Sequence, residues 1–342
     1  MKLSDFDYYL PLDRIAQHPA DKRDHSRLMC LNRKNSDIKH RMFYEIDEFI
    51  NPGDLLVLNN SKVIPARVLG IKDPTGAAAE ILLLRDLGED KWECTVRPGR
   101  RLGVGTKIRL KNDTTALIES VLPGGNRVVR FVYDKEIDFY TLLNEIGNTP
   151  LPHYIHETTA KSEDYQTVYA KIPGSSAAPT AGFHFTKELI LKLKEKGVLF
   201  TEITLHIGLG TFRPVKTELI ENHQMHREYY TVSETSSNII NRTITEGNRV
   251  ISVGTTSCRT LESVYRDNGS IVPCTGSTDI FIYPGYNFKV VDAMITNFHL
   301  PKSTLMMLVS AFSGHEFIMN AYKEAVDTGY RFFSFGDAMF IY

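Results

Sequence analysis

The sequence predicts an α/β protein, a large α/β domain with a small all-β barrel domain inserted in it. Three observations predict it. At 342 residues the chain exceeds what one hydrophobic core usually supports. Between residues 62 and 133 only short β-type runs occur, at 63–71, 80–84, 92–96, 107–110, 115–121 and 128–133, separated by the turn signals Pro74-Thr75-Gly76, Pro98-Gly99, Gly103-Val104-Gly105 and Pro123-Gly124-Gly125. Outside that stretch, strand patterns alternate with helical ones. The expected division is a discontinuous α/β catalytic domain over 1–60 and 151–342, interrupted by a β-barrel domain over 61–150.

In chain order, residues 5–27 are polar and loop-like, with Gln17, His18, Arg23, Ser26 and Arg27. They read either as a ligand-facing rim or as a solvated connection. Residues 54–60 form an apolar run ending in Asn59-Asn60, a buried strand. A helical pattern covers 137–146 before Pro150-Leu-Pro-His153 returns the chain to the α/β pattern. The stretch Gly174–Thr186 then stands out, because ten of its thirteen residues are Gly, Ala, Ser, Thr or Pro and its only ionisable side chain is His184. Such a backbone approaches a ligand closely, and Thr180 and Gly182 lie in it. The bland alternative is a tight loop that packs Phe183 and Phe185 into the core. A helix follows, with Thr186 as N-cap, Leu189, Ile190 and Leu193 on one face and Gly197 at its end.

A strand over 198–207 ends in His206-Ile-Gly208-Leu-Gly210-Thr211. A dinucleotide-type glycine turn is not expected there, since the third glycine is missing and Phe212-Arg213-Pro214 opens no helix. His223, His226 and Glu228 lack a further ligand of known spacing, so a metal site is not expected. The run 250–253 is a buried strand feeding Gly254, Thr255, Thr256 and Ser257 and a helix through Arg259 up to Gly269. Two readings stand for that turn, an anion site at free N–H groups or an ordinary Thr-capped helix. Residues 279–286 read as a strand and turn, and Asn297-Phe298-His299 sets hydrogen-bonding groups beside an aromatic ahead of an apolar helix over 305–312. The closing segment 331–342 is strongly β, interrupted by Gly336-Asp337. A carboxylate in such a break is costly unless it is hydrogen-bonded or functional.

Composition removes several function classes. A net charge of -1 and a pI near 6.8 exclude a uniformly basic nucleic-acid coat but leave room for a local patch. Such a patch lies at 96–111, where Arg97, Arg100, Arg101, Lys107, Arg109 and Lys111 occur with no acid among them. It reads as a phosphate-binding surface or as a solvated strand face. Cys30, Cys94, Cys258 and Cys274 form no Cys-x-x-Cys pair, so free thiols in a reducing compartment are expected. No apolar run nears 18 residues, and neither a signal peptide nor a membrane span is expected.

From end to end the chain resembles the S-adenosylmethionine:tRNA ribosyltransferase-isomerases of queuosine biosynthesis. The resemblance rests on Asp5-Phe-Asp-Tyr-Tyr-Leu-Pro11, Ile15-Ala-Gln-His-Pro19, Arg23-Asp-His-Ser-Arg27, Asp54-Leu-Leu-Val-Leu-Asn59 and Lys62-Val-Ile-Pro-Ala-Arg67. It continues through Val96-Arg-Pro-Gly-Arg-Arg101, Tyr165-Gln-Thr-Val-Tyr169, Ala177-Ala-Pro-Thr-Ala-Gly182 with His184-Phe-Thr186, and Thr204-Leu-His-Ile-Gly208. Gly254-Thr-Thr-Ser257, Phe281-Ile-Tyr-Pro-Gly-Tyr286, Ile295-Thr-Asn-Phe-His-Leu-Pro301 and Arg331-Phe-Phe-Ser-Phe-Gly-Asp-Ala338 complete it. Ser176, Phe183 and His153 depart from the family pattern without removing a polar site residue.

The resemblance implies transfer and isomerisation of the ribosyl part of S-adenosylmethionine onto 7-aminomethyl-7-deazaguanine at the tRNA wobble position. Epoxyqueuosine-tRNA, adenine and methionine would be the products. It implies no metal and no prosthetic group, with S-adenosylmethionine consumed as substrate, tRNA as partner, and a cytoplasmic monomer. The residues it offers for catalysis are His184, His299 and Asp337. For the small substrate it offers Thr180, Gly182, His206, Gly208, Thr255, Thr256, Ser257, Arg259 and Asn297, and for tRNA Lys62, Arg67, Arg97, Arg100 and Arg101. His184 leads as general base, being the one titratable group in its loop. Two other classes remain at this point, a conventional methyltransferase and a non-catalytic tRNA-binding protein. The first lacks its glycine-rich strand-to-helix turn, and the second leaves the His and Asn clusters without a role.

Overall fold

The computed structural model describes residues 1–150, 152, 154–155, 162–208 and 215–342. The chain divides into two compact units. One comprises Met1–Ser61, His153–Lys171 and Pro179–Tyr342, the other Lys62–Pro152 and Ile172–Ala178. Residues 172–178 go with the smaller unit because Ile172–Ser175 pairs with Ser61–Val63 and the Ser176 hydroxyl donates to the Leu83 carbonyl at 2.8 Å. The Gly174–Thr186 stretch is thus shared between the two units.

The smaller unit is a closed, all-antiparallel barrel, as the Pro/Gly-punctuated strands predict. Its circuit runs through Arg67–Asp73, Ala78–Gly88, Lys91–Arg97, Arg127–Val132, Thr115–Val121 and Lys107–Arg109, which pairs back onto Arg67–Asp73. Closure removes the free edges that an open sheet of this size would expose. Inward residues alternate along each strand, and Ile81, Leu83, Trp92, Cys94, Ile118 and Phe131 fill the interior. Leu142, Leu143 and Ile146 of the helix Phe139–Ile146 join the same cluster, and Asp138 caps that helix by accepting from the Thr141 N–H at 3.1 Å. The expected single strand over 63–71 is broken in two, because Pro65 cannot donate to a ladder.

The larger unit is built on a nine-stranded sheet. Its central strands Leu199–His206, Leu55–Asn59, Val250–Val253 and Ala293–Asn297 are parallel neighbours in that order. Ala338–Ile341 runs antiparallel to Ala293–Asn297, and Arg27–Asn32 and Asp37–Met42 extend that side. On the other side Glu228–Val232 and then Cys274–Thr278 add antiparallel strands. Leu55–Asn59, Val250–Val253, Ala293–Asn297 and Ala338–Ile341 are buried at every position, as parallel-sheet strands covered on both faces must be. The edge strand Asp37–Met42 instead carries Lys39, His40 and Arg41, which discourage further pairing.

Helices close the sheet faces where their caps predict. Lys187–Glu195 starts at Thr186, whose hydroxyl accepts from the Leu189 N–H at 3.1 Å, and buries Leu189 and Leu193 against Leu56, Ile251 and Phe340. Gly254–Asn268 starts directly after its strand and ends at Gly269 in the left-handed region. Thr304–Ser313 is capped by Ser303. Residues 279–286 form no strand, contrary to the expectation from their apolar pattern. The Thr278 hydroxyl accepts from the Ile280 N–H at 3.0 Å and turns the chain out of the ladder. Likewise only Ala338–Ile341 of the closing segment is a strand. Among the described residues no helix is long and apolar enough to cross a membrane.

One edge of this sheet collects chemistry. The four parallel strands end in Asn59, His206, Val253 followed by Gly254, and Asn297, while the antiparallel strands begin beside them at Glu228 and Ala338. In open α/β sheets, ligands bind outside the carboxyl ends of the strands.

Candidate active site

Asn297 ends its strand with the side chain buried, and three hydrogen bonds fix its amide. Its Nδ2 donates to the Phe333 carbonyl at 3.3 Å, and its Oδ1 accepts from the Thr180 hydroxyl at 2.8 Å. A carbonyl only accepts, so the Nδ2 group must point that way, and it also donates to His184 Nε2 at 3.0 Å. Nε2 therefore carries the lone pair. The proton sits on Nδ1 and is donated to the Ser26 hydroxyl at 2.7 Å. His184 is 3% exposed and packs at 5.0 Å from the Phe43 ring. Burial, reinforced by Arg331 and Arg23, pushes its pKa down to about 3 and keeps the imidazole neutral.

A cavity of about 150 Å³ opens beside this network. Its wall includes Arg23, Ser26, Asp164, Phe183, His184 and Phe335. Phe183 and Phe335 are stacked with centroids 6.1 Å apart, and the Arg23 guanidinium lies 5.7 Å from the Phe183 centroid. Arg23 also clamps the wall, donating from Nη1 to the Gln166 carbonyl at 2.7 Å and from Nη2 to the Glu163 carbonyl at 3.1 Å. Of residues 5–27, Pro19, Ala20, Asp21, Arg23 and Ser26 border this cavity. Of the two phenylalanines, Phe185 packs in the core and Phe183, also buried, forms part of the cavity wall. At Gly182 a Cβ would lie 2.0 Å from the Tyr169 hydroxyl, so only glycine fits the turn Thr180–His184.

Asp337 serves the loop before the last strand. Its Oδ1 accepts from the Arg27 N–H at 2.9 Å and its Oδ2 from the Arg331 N–H at 2.8 Å. That loop holds Phe333 at φ +71, a conformation that costs a bulky residue about 1–3 kcal/mol and needs such external support. Asp337 thereby fixes the carbonyl that orients Asn297. His299 is also buried, its Nε2 2.9 Å from the Thr296 hydroxyl and its main-chain N–H donating to the Tyr322 hydroxyl at 2.9 Å. Burial pushes its pKa down to about 3.

Further along the edge, His206 is half-buried and its pKa is lowered by desolvation, with Nδ1 unpartnered among the described residues. Gly208 follows it. Residues 209–214, with Gly210, Thr211, Phe212, Arg213 and Pro214, lie outside the described residues, as does His153. Gly254 adopts φ +87 and starts its helix with Val253 as N-cap and no side-chain cap, so Thr255 and Thr256 do not cap it. The ordinary Thr-capped reading therefore fails, and among the described residues no side chain caps the first turn. The Ser257 hydroxyl turns back to the Val253 carbonyl at 3.1 Å, and a Cβ at Gly254 would lie 3.6 Å from Ala181, which brings this helix start against the Thr180–His184 turn. Arg259, on the second turn, forms a buried ion pair with Glu228, while its Nε and Nη2 are unpartnered among the described residues. Burial raises the Glu228 carboxyl, but Arg259 and His226 outweigh it and hold the group at about 2. His226 sits 3.3 Å from Glu228 whereas His223 packs edge-on against Phe281 at 5.3 Å, so the three do not converge as ligands.

In the barrel unit, Arg97 ends its strand and Arg100 and Arg101 occupy the exposed turn Gly99–Arg101. Arg127 pins that turn from below, donating to the Gly99 carbonyl at 2.8 Å and the Leu102 carbonyl at 3.0 Å. Lys62, Arg97, Arg100 and Arg101 form no ion pair among the described residues, whereas Arg67 is 2.8 Å from Glu80 and Arg109 is 4.0 Å from Asp73. The patch that the sequence shows as acid-free is thus partly neutralised from neighbouring strands.

The profile of the queuosine biosynthesis protein family matches residues 3–341. The chain belongs to that family. Among solved structures it is similar to the S-adenosylmethionine tRNA ribosyltransferase of Thermotoga maritima, at 44% identity over 99% of this chain and 100% of that one, with a TM-score of 0.58. The structure of this family member brings Thr180, Gly182, His184 and Asn297 together and joins Asp337 to them through the Phe333 loop. It leaves His206, Gly208, Thr255, Thr256, Ser257 and Arg259 along the same edge without a described hydrogen bond to His184. Asp164 and Phe335 were not singled out from sequence as site residues; their one signal was polar or aromatic character, and 158 residues separate Ser26 from His184.

The buried histidines set an acid limit. An unfolded histidine titrates near pH 6.5, whereas His184 and His299 are held at about 3, so only the unfolded chain binds these protons between those values. Stability is therefore complete above about pH 6.5 and falls as pH drops toward 3, by up to about 1.4 kcal/mol per pH unit for each histidine. Urea unfolding of His299→Gln across this range should show a dependence shallower than wild type by about one proton, and an unchanged slope would mean that His299 is not buried neutral.

Proposed function

We propose that this protein transfers and isomerises the ribosyl part of S-adenosylmethionine onto the aminomethyl group of 7-aminomethyl-7-deazaguanine at the tRNA wobble position. Adenine and methionine leave, and epoxyqueuosine remains on the tRNA. The observation that carries the reading is the aromatic-walled cavity beside a neutral, hydrogen-bonded histidine at the carboxyl edge of the parallel strands. A conventional methyltransferase needs a glycine-rich strand-to-helix turn for its cofactor, and a simple RNA-binding protein needs no such site.

The sulfonium acidifies the ribose 5′ carbon, so the reaction needs a base there, a donor for departing adenine and an unprotonated amine on the RNA. His184 is the base in this reading, because it borders the cavity and carries its lone pair on Nε2. His299 lies beside other groups, and Asp337 acts by positioning the Phe333 loop. Thr180, Gly182, His206, Gly208, Thr255, Thr256, Ser257, Arg259 and Asn297 line the path of the small substrate. Lys62, Arg67, Arg97, Arg100 and Arg101 meet RNA phosphates. The protein works as a cytoplasmic monomer, with S-adenosylmethionine as consumed substrate and no prosthetic group.

Two measurements test this. Incubated with S-adenosylmethionine and tRNA bearing the modified base, the protein should release adenine and methionine in equal amounts; S-adenosylhomocysteine as main product would replace the reading with a methyltransferase. For the RNA surface, Arg100→Glu with Arg101→Glu should weaken tRNA binding and flatten its salt dependence by about one unit of slope per lost phosphate contact. A slope equal to wild type would remove that turn from the RNA surface.

A further inference from the structure

We infer that the start of the helix Gly254–Asn268 is the subsite for the α-carboxylate of S-adenosylmethionine, held by the Nε and Nη2 donors of Arg259 with the Thr256 hydroxyl and the uncapped first turn beside them. The inference rests on the proposed reaction for its ligand and on Arg259 for its place. Arg259 is 3% exposed, and among the described residues its guanidinium spends only Nη1, on the Glu228 carboxylate. Its Nε and Nη2 are buried and have no acceptor among the described residues. Those two donors form one edge of the planar group, and their hydrogens point the same way, at the spacing of the two oxygens of a carboxylate. A buried charged donor without an acceptor is costly, and folded proteins seldom keep one without a use.

The helix decides where this edge lies. Side chains tilt toward a helix N-terminus, and positions three and four apart share a face, so Arg259 reaches back over Thr255 and Thr256. Glu228 meets the guanidinium at the sheet edge where the parallel strands end. The first turn adds donors of its own, because Val253 is a capless N-cap and the Ser257 hydroxyl turns away to the Val253 carbonyl at 3.1 Å. Thr256 Oγ1 is likewise buried and unpartnered among the described residues. A helix N-terminus alone would take any small anion, whereas the two-donor edge selects a flat, bidentate one. Burial then separates the two anionic substrates. A polynucleotide backbone is too wide for a site so nearly closed, while S-adenosylmethionine carries its one anionic group at the end of a flexible chain. Of Thr255, Thr256 and Arg259, Thr256 alone keeps intermediate exposure, which puts the way in at the helix start.

The test is a binding measurement on the whole protein and needs no turnover. Calorimetry compares S-adenosylmethionine with its decarboxylated analogue for wild type, for Arg259→Lys, and for Arg259→Met combined with Glu228→Gln. The lysine keeps a positive charge for Glu228 but has no planar two-donor edge, and the double variant leaves no charge stranded. Wild type should bind S-adenosylmethionine at least ~10-fold more tightly than the analogue, the lower range for hydrogen bonds to a charged group. Both variants should lose most of that preference by weakening S-adenosylmethionine alone. A residue that only supports the fold would weaken both ligands by the same factor, and that result would overturn the assignment. Equal binding of the two ligands by wild type, or a preference that survives in both variants, would overturn it too. A wild-type protein that binds both equally yet releases adenine and methionine would leave the reaction standing without this subsite. Failure to bind S-adenosylmethionine at all would remove both.

Discussion

The hydrogen bond from the Asn297 amide to His184 Nε2 is the interaction on which the rest of the site depends. It decides which nitrogen of His184 holds the proton, and so which way Ser26 faces. Its own direction is inherited from the fold. Asn297 ends a strand buried at every position, Phe333 holds the amide by a carbonyl, and Asp337 holds the Phe333 loop through two main-chain N–H groups. Buried polar groups of this kind are costly when partly satisfied and specify a single arrangement when fully satisfied. The network is therefore a rigid element, and the unusual Phe333 backbone is the strain it holds in place.

A second buried system lies along the same sheet edge. Arg259 and Glu228 form an ion pair out of water, and losing one partner of such a pair costs about 3–5 kcal/mol because the other charge is stranded. On the same helix Glu262 accepts from the N–H groups of Lys289, Val290 and Val291 and from the Tyr286 hydroxyl. A helix that carries two buried charges and starts without a side-chain cap is not shaped by packing alone. The Glu262 carboxylate fixes the loop beside it, while among the described residues no side chain caps the first turn.

Local chemistry made much of this legible in the sequence. Proline and glycine turns between short apolar runs marked the barrel strands, Thr186 marked a helix start, and a histidine amid small residues marked the cavity wall. Three things were illegible, one because its partners are distant in the chain and two because local backbone geometry overrode the sequence pattern. Ser26 and Asp164 acquire meaning only where the fold carries them to His184 and Phe183. Residues 279–286 have the apolar pattern of a strand, but Thr278 takes the first N–H out of the ladder. At Gly254 the sequence left a capped helix and an open one equally possible, and the choice fell to the backbone, which starts the helix before either threonine.

The most direct test of this account is the ¹⁵N NMR signature of the His184 ring at neutral pH. A histidine pinned by the Asn297 amide must be neutral and protonated at Nδ1, with Nε2 in the acceptor position, and must remain so until pH falls well below that of a free histidine. Asn297→Asp, which replaces the amide donor by an acceptor, should move the proton to Nε2 and raise the pKa. An imidazolium at neutral pH in the wild-type protein, or protonation at Nε2, would contradict the hydrogen-bond order on which the site is built.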